Sequence, residues 1–409
     1  MTLRSLLPAL GFVCAAAAAA GAQELSTTGS LEGTVTFYPQ KAPNDATQAV
    51  GFGLVRLDPV LKFPGWRIDS SIDIRGDSHD MTTVAATFWD RTSKRPLLSA
   101  RRVSASFVRG PVTFEAGKQI VRWGKTDILV PTDRFAPRDY LIVSDTEVLA
   151  VTAVRLIVAS SSNSLDVVFT PRFTPSRTPL LDQRWTVPPA AAQGLPLEDA
   201  GADYPKTPQI GVRWNHIGRH VEHSFSVFRG VNHLPDFTNQ VVPSPLHIDV
   251  RRRYPQLASV GADAAVPLSW FTIKGEAAWL GSSTEGTEEY VLYVLQIERQ
   301  AGEWLFIGGY AGSHTTQDGT VPRFAPDRGL ARALVGRASY TIDTNRSLVF
   351  EAIARQDGDG FSGKVEYSQA FGPHLRLTGS GRLIHGEDTD FIGQYHHNSS
   401  VTLTLRYSF

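Results

Sequence analysis

The densest run of charged and conformationally restricted residues is Arg122-Trp123-Gly124-Lys125-Thr126-Asp127-Ile128-Leu129-Val130-Pro131-Thr132-Asp133-Arg134-Phe135-Ala136-Pro137-Arg138-Asp139-Tyr140. Its charges are Arg122, Lys125, Asp127, Asp133, Arg134, Arg138 and Asp139. Pro131 and Pro137 restrict the backbone, and Asp133 and Asp139 sit beside Arg134 and Arg138, so opposite charges can compensate where water is scarce. That chemistry suits the constriction of a polar passage, where a solute meets fixed charge without being transformed. Ion pairs that only brace a wall have the same composition.

A second set is spread over the C-terminal third. Arg337, Arg355, Lys364, Arg376, Arg382 and Arg406 fall on the polar faces of alternating segments, against Glu351 and Glu366. Six cations against two anions make a basic wall, and ladders of Arg and Lys favour anions in a pore. Opposite Asp127, Asp133 and Asp139 they produce a transverse field. Pairing between adjacent strands, with no net selectivity, is the plainer account.

Other reactive groups carry less. His385, Glu387, Asp388, Asp390, His396 and His397 have ligand chemistry, but their spacing matches no known metal pattern and suits a solvated loop. No Gly-x-Ser-x-Gly elbow or zinc motif occurs, and His223 beside Ser224 is too generic for a catalytic pair. No catalytic residue, metal or cofactor is expected.

The elements that must position these groups are short alternating segments separated by Gly, Pro, Asn and Asp. Strands are expected near 30–38, 48–57, 66–76, 98–109, 111–122, 147–159, 163–174, 208–218 and 220–230. They continue near 255–266, 270–281, 289–299, 303–314, 330–342, 346–357, 361–370, 373–386 and 398–409. The count is about 18, with 16 within boundary error. Tight links such as Gly110-Pro111, Gly218-Arg219 and Gly372-Pro373 alternate with long ones near 77–97, 123–146, 175–207, 231–254, 315–329 and 387–397. The short link at 358–360 breaks that rule. Strand 147–159 is apolar on both faces, which calls for something packed against it from inside. The Pro-rich stretch 175–207 is either a lid over one mouth or disordered.

Both ends of the chain agree with this layout. Residues 1–22 carry one early cation, Arg4, an apolar run and Ala20-Gly21-Ala22, the features of a cleaved signal peptide. The only cysteine, Cys14, lies in it, so residues 23–409 need no disulfide. Beyond it no apolar run is long enough for a membrane-spanning helix. Lys+Arg and Asp+Glu balance at 40 each, which argues against nucleic acid as a partner.

The chain closes on Val401-Thr-Leu-Thr-Leu-Arg-Tyr-Ser-Phe409, with Val401, Leu403, Leu405, Tyr407 and Phe409 on one face. This resembles the terminal strand of Gram-negative outer-membrane β-barrels. Gly117-Lys118-Gln119, Trp123-Gly124, Asp127, Pro131-Thr132-Asp133 and Pro137-Arg138-Asp139 also resemble a poorly characterised group of outer-membrane porin-like proteins. The resemblance implies an all-β, closed antiparallel transmembrane β-barrel over 23–409, with 123–146 folded inward as a constriction loop.

It further implies a cell outer membrane location and passive diffusion of small polar solutes, to which the basic wall adds a weak anion preference. Expected partners are outer-membrane lipid and lipopolysaccharide, the barrel-assembly machinery through the C-terminal strand, and further copies in a homo-oligomer. The competing expectation is a non-conducting barrel that serves as receptor, anchor or assembly scaffold.

Overall fold

The computed structural model describes residues 24–188, 192, 194–319 and 324–409. The expected signal peptide, 1–22, lies outside them. Eighteen strands run in chain order as Glu24–Phe37, Ala49–Phe63, Trp66–Asp77, Arg95–Arg109, Val112–Gln119, Val151–Ala159, Asn163–Thr170, Gln209–Ile217 and Glu222–Val231, then Gln256–Pro267, Thr272–Gly281, Glu289–Ala301, Trp304–Gln317, Ala333–Thr341, Arg346–Arg355, Phe361–Phe371, Leu375–His385 and Ser400–Ser408. Each pairs antiparallel with the next. The last pairs with the first, from Ser30 opposite Ser408 to Phe37 opposite Val401. Closure gives the backbone donors and acceptors of the staves partners without water and leaves no free edge. Of the two expected strand counts, 18 is the one found.

The period-2 alternation decides what faces in. Val401, Leu403, Leu405 and Tyr407 are exposed on the outer wall. Thr402 and Thr404 face inward, hydrogen-bonding Thr36 (3.1 Å) and Thr34 (3.0 Å) across the closure seam. Phe409 completes the seam. Its N–H donates to Gly29 O (3.0 Å) and its carbonyl accepts from Gly29 N–H (2.9 Å). Aromatic side chains gather near the short turns, where Trp66 meets Phe107 (4.9 Å), Trp304 meets Tyr340 (4.6 Å) and His374 meets Tyr407 (5.5 Å). Such girdles mark the interface of a barrel with a bilayer.

The connections are sorted by end. Turns at 64–65, 110–111, 160–162, 218–221, 268–271, 302–303, 342–345 and 372–374 lie at the end that also holds both strand termini, Glu24 and Ser408. The other end carries 38–48, 78–94, 120–150, 171–208, 232–255, 282–288, 318–332, 356–360 and 386–399.

Some boundaries differ from those expected. The second strand continues past Pro59 to Phe63. Pro59 has no N–H to donate, and its carbonyl is used instead by Ser70 Oγ (3.0 Å). The stave expected from 147 begins at Val151, because Glu147–Val148 pairs with Arg138–Asp139 inside the long connection. Outside the barrel the long connections build a three-stranded sheet of Leu197–Asp203, Asp236–Pro243 and Leu246–Arg253.

Candidate functional site: a loop-walled gap in the lumen

Connection 120–150 folds into the barrel, where one carboxylate gathers several of its donors. Glu276, inward on Thr272–Gly281, accepts at Oε1 from Thr132 N–H (2.8 Å) and Thr132 Oγ1 (2.8 Å). At Oε2 it accepts from Lys125 N–H (3.0 Å), Thr126 N–H (3.3 Å) and Thr126 Oγ1 (2.9 Å). Gly124, at φ 96°, turns the chain against this group, and a Cβ there would come within 2.7 Å of both carboxylate oxygens.

Trp123 and Phe135 stack edge to face (5.2 Å), and Phe135 meets Phe228 in the same way (5.0 Å). Gly211 makes room for the pair, since a Cβ there would lie 2.6 Å from the Phe135 ring. Val151 and Ala153 join the same apolar cluster. The two-faced apolar strand therefore does pack against something inside the barrel.

The expected constriction residues separate into those that line open space and those that anchor the loop. Arg122, Asp127, Asp133, Arg134 and Arg138 line a cavity of about 470 Å³, whose far side includes Ile353, Arg382 and Ile384. Arg122 is ion-paired to Asp133, and Trp123 N–H donates to the same carboxylate (3.1 Å). Burial pushes the Asp133 carboxyl up. Lys125 pairs with Glu222 (2.9 Å), and Asp127 with Lys274 (2.9 Å).

Asp139 lines no open space. It is fully buried between Arg95 (3.0 Å) and Arg177 (3.1 Å). Burial opposes its ionisation, but the two guanidiniums overcome that and hold its carboxyl well below the usual carboxylate range.

The six cations of the expected basic wall are inward-facing. Arg337 lies 3.7 Å from Glu351, Lys364 pairs with Glu366 (2.7 Å), and Arg355 reaches Asp357 (2.9 Å) and Asp390 (3.2 Å). Arg376 and Arg382 bond only the hydroxyls of Ser368 (2.9 Å) and Ser362 (3.5 Å). Among the described residues no carboxylate lies within 4 Å of Arg376, Arg382 or Arg406. The unneutralised part of the wall is thus these three.

A second space, of about 600 Å³, lies between that wall and the first strands. It is lined by Glu32, Thr34, Arg56, Arg75, Lys364 and Glu366 among others. Ser144, Thr146 and Arg382 line both spaces. The three acids expected to face that wall are each paired, Asp127 with Lys274, Asp133 with Arg122 and Asp139 with Arg177. Asp133 pairs within its own loop and Asp139 anchors that loop, while Asp145 of the same loop lines the second space together with Arg382. Asp145 carried no sequence signal beyond being an acid in the second half of the loop.

Connection 171–208 starts between Asn163–Thr170 and Gln209–Ile217 and reaches nearly the opposite side of the ring. Trp185 packs on Tyr395 (5.4 Å), Arg184 lies over the Tyr38 ring (3.6 Å), and Asn398 Nδ2 donates to Arg184 O (3.1 Å). It therefore crosses the mouth. His233 ties it to the constriction, with Nδ1 2.6 Å from Thr174 O and Nε2 3.0 Å from Arg134 O. Burial pushes the His233 imidazole down to about 4, against the two carbonyls that favour its charged form.

No family model matches the chain, and no curated protein matches it. Solved structures do. The chain is similar to a BenF-like porin from Pseudomonas fluorescens Pf-5 at 10% identity and a TM-score of 0.56, over 95% of this chain and 98% of that one. It is similar to Acinetobacter baumannii OccAB4 at 10% identity and a TM-score of 0.55, over 95% and 98%. Pseudomonas aeruginosa OccK11 (OpdR) gives 10% and 0.53, over 94% and 96%. At that identity the likeness is one of fold: the chain is an 18-stranded barrel built like those of solved porins.

Proposed function

We propose that this protein is an outer-membrane channel of a Gram-negative bacterium through which small polar solutes diffuse passively, with a weak preference for anions. The observation that carries the reading is the pair of lumen spaces that share Arg382 in their walls, beside a wall where Arg376, Arg382 and Arg406 have no carboxylate within ion-pair distance among the described residues. Fixed positive charge beside a narrow polar path favours anions without chemistry on a bound substrate. Arg122, Asp127, Asp133, Arg134 and Arg138 shape the path from the loop side, and Lys125 and Asp139 hold the loop.

Planar-bilayer recording under a salt gradient tests this. The reversal potential should indicate anion preference, and Arg376→Glu with Arg382→Glu should shift it toward cations. Cation preference in the native protein, or no shift in the double variant, would reject the preference.

A second reading is favoured by the segment around Trp185, which spans the mouth: a closed barrel that presents its long connections to a partner. Steady single-channel conductance is the expected result, and its absence selects the closed barrel. In either case the outer wall meets lipid and lipopolysaccharide. The strand ending in Phe409 is the handle for the barrel-assembly machinery, and residues 1–22 are removed on export. Assembly into a homo-oligomer is tested by cross-linking in intact membranes.

A further inference from the structure

The sheet outside the barrel brings three ligand-type side chains together. Leu197–Asp203 and Leu246–Arg253 run parallel with Glu198 opposite Asp249. His247 and Asp249 are two residues apart on one strand and share a face, and the register sets Glu198 beside them. Adjacent like charges on a sheet repel. Here both carboxylates converge on one imidazole nitrogen, with His247 Nε2 3.3 Å from Asp249 Oδ1 and 3.6 Å from Glu198 Oε2. The other nitrogen, Nδ1, lies 2.7 Å from the Pro245 carbonyl oxygen. That oxygen only accepts, so Nδ1 carries the proton. His247 is only 9% exposed, and its Nε2 faces both carboxylates.

We propose that Glu198, His247 and Asp249 bind a divalent transition-metal ion of the zinc class. The three ligand atoms lie within 4.8 Å of one another. Metal–ligand bonds of about 2.1 Å in a tetrahedron give ligand–ligand edges of about 3.4 Å. The two edges from Nε2 measure 3.3 and 3.6 Å. One nitrogen and two carboxylates suit a zinc-like ion and leave a position for water, whereas calcium and magnesium ask for about six or more oxygens. A histidine whose second nitrogen donates to a backbone carbonyl is oriented as metal-bound histidines are.

The Glu198 side chain is 59% exposed, so the ion enters from solvent. Binding cancels the carboxylate repulsion and ties connection 171–208 to connection 232–255. None of the three residues lines the lumen spaces, so the site stands whether or not the barrel conducts.

The test is titration of zinc chloride into the full-length protein in detergent, read by competition with a chromophoric chelator. One saturable site per chain is expected, retained in excess calcium and magnesium. His247→Ala and Asp249→Asn should each weaken it by at least about tenfold. Heat-modifiable gel mobility reports whether each variant still forms the barrel, and Glu198→Gln changes only an exposed position. Three results would each overturn the proposal: no saturable binding, binding unchanged in all three variants, or displacement by equimolar calcium. So would an imidazolium at His247, seen in ring-nitrogen chemical shifts, that persists when zinc is added.

Discussion

Asp139 and Arg177, 38 residues apart, form an ion pair of 3.1 Å that joins the inward-folded loop to the segment crossing the mouth. Neither is open to solvent. Arg177 also holds Asp90 (2.7 Å), Asp90 holds Lys118 (2.6 Å), and Arg95 holds Asp139. The chain of charges thus spans three connections and two staves. Three cations and two anions compensate one another closely enough to be buried, and Lys118 Nζ also donates to Phe88 O (2.8 Å) and Ala100 O (2.6 Å).

Removing one member of this network should therefore cost more than its share. Asp139→Ala leaves Arg95 without its carboxylate and Arg177 with Asp90 alone, a loss of about 3–5 kcal/mol. Limited proteolysis of the folded protein should cut within 120–150 and 171–188 in the variant but not in the native chain. An unchanged digestion pattern would show that the network contributes nothing to loop closure.

Glu276 sets how far the constriction loop projects. Glu276→Ala removes five accepted hydrogen bonds to Lys125, Thr126 and Thr132, several of them charge-assisted and worth about 1.5–3 kcal/mol each when made. The loop should detach while the barrel persists, because the stave keeps its backbone ladder on both sides. Single-channel recording should show larger and noisier conductance. Equal conductance would mean that other contacts suffice.

The wall beneath the loop is equally specific about volume. Gly211→Val places side-chain atoms where the Phe135 and Trp123 rings lie, and Gly261→Val does so under Thr132, whose Cγ2 would be 2.7 Å from a Cβ there. Overpacking of this kind costs about 1–3 kcal/mol and should push the loop toward Arg382. Reduced conductance with unchanged heat-modifiable mobility is the expected pair of readouts.

Acidification should loosen the mouth in two stages. His233 is held near 4 in the fold against an ordinary 6.5. Between those values the unfolded chain takes up a proton that the folded chain refuses. Stability therefore falls as pH drops from 6.5 to about 4, by roughly 3 kcal/mol, and this contribution is then exhausted. Asp139 is depressed instead, so its contribution is complete above the ordinary carboxylate range and is lost as pH falls below it. Thermal unfolding across pH should show both windows, with His233→Gln flattening the upper and Asp139→Asn the lower.

Alternation along single strands was legible from residues alone. Val401, Leu403, Leu405 and Tyr407 against Thr402, Thr404 and Arg406 dictate which side meets hydrocarbon, because ionised groups there would cost a few kcal/mol each. The same rule, applied stave by stave, determined the inward direction of the basic residues, while the lengths of the connections determined how they are sorted. It is a local rule, and it reports only a face.

Which charges remain free was decided by tertiary structure. Asp133 and Asp139 lie in the same loop as Asp145 and look no different in sequence, yet the first two are consumed by partners and the third lines the second space with Arg382. Asp133 finds Arg122 within its own loop, whereas the partners of Asp139, Arg95 and Arg177, come from a stave and a connection far away in the chain, brought close only by closure and register. The same holds outside the barrel. His247 and Asp249 declare a shared face by their spacing, but Glu198 joins them only because a parallel register sets it opposite Asp249.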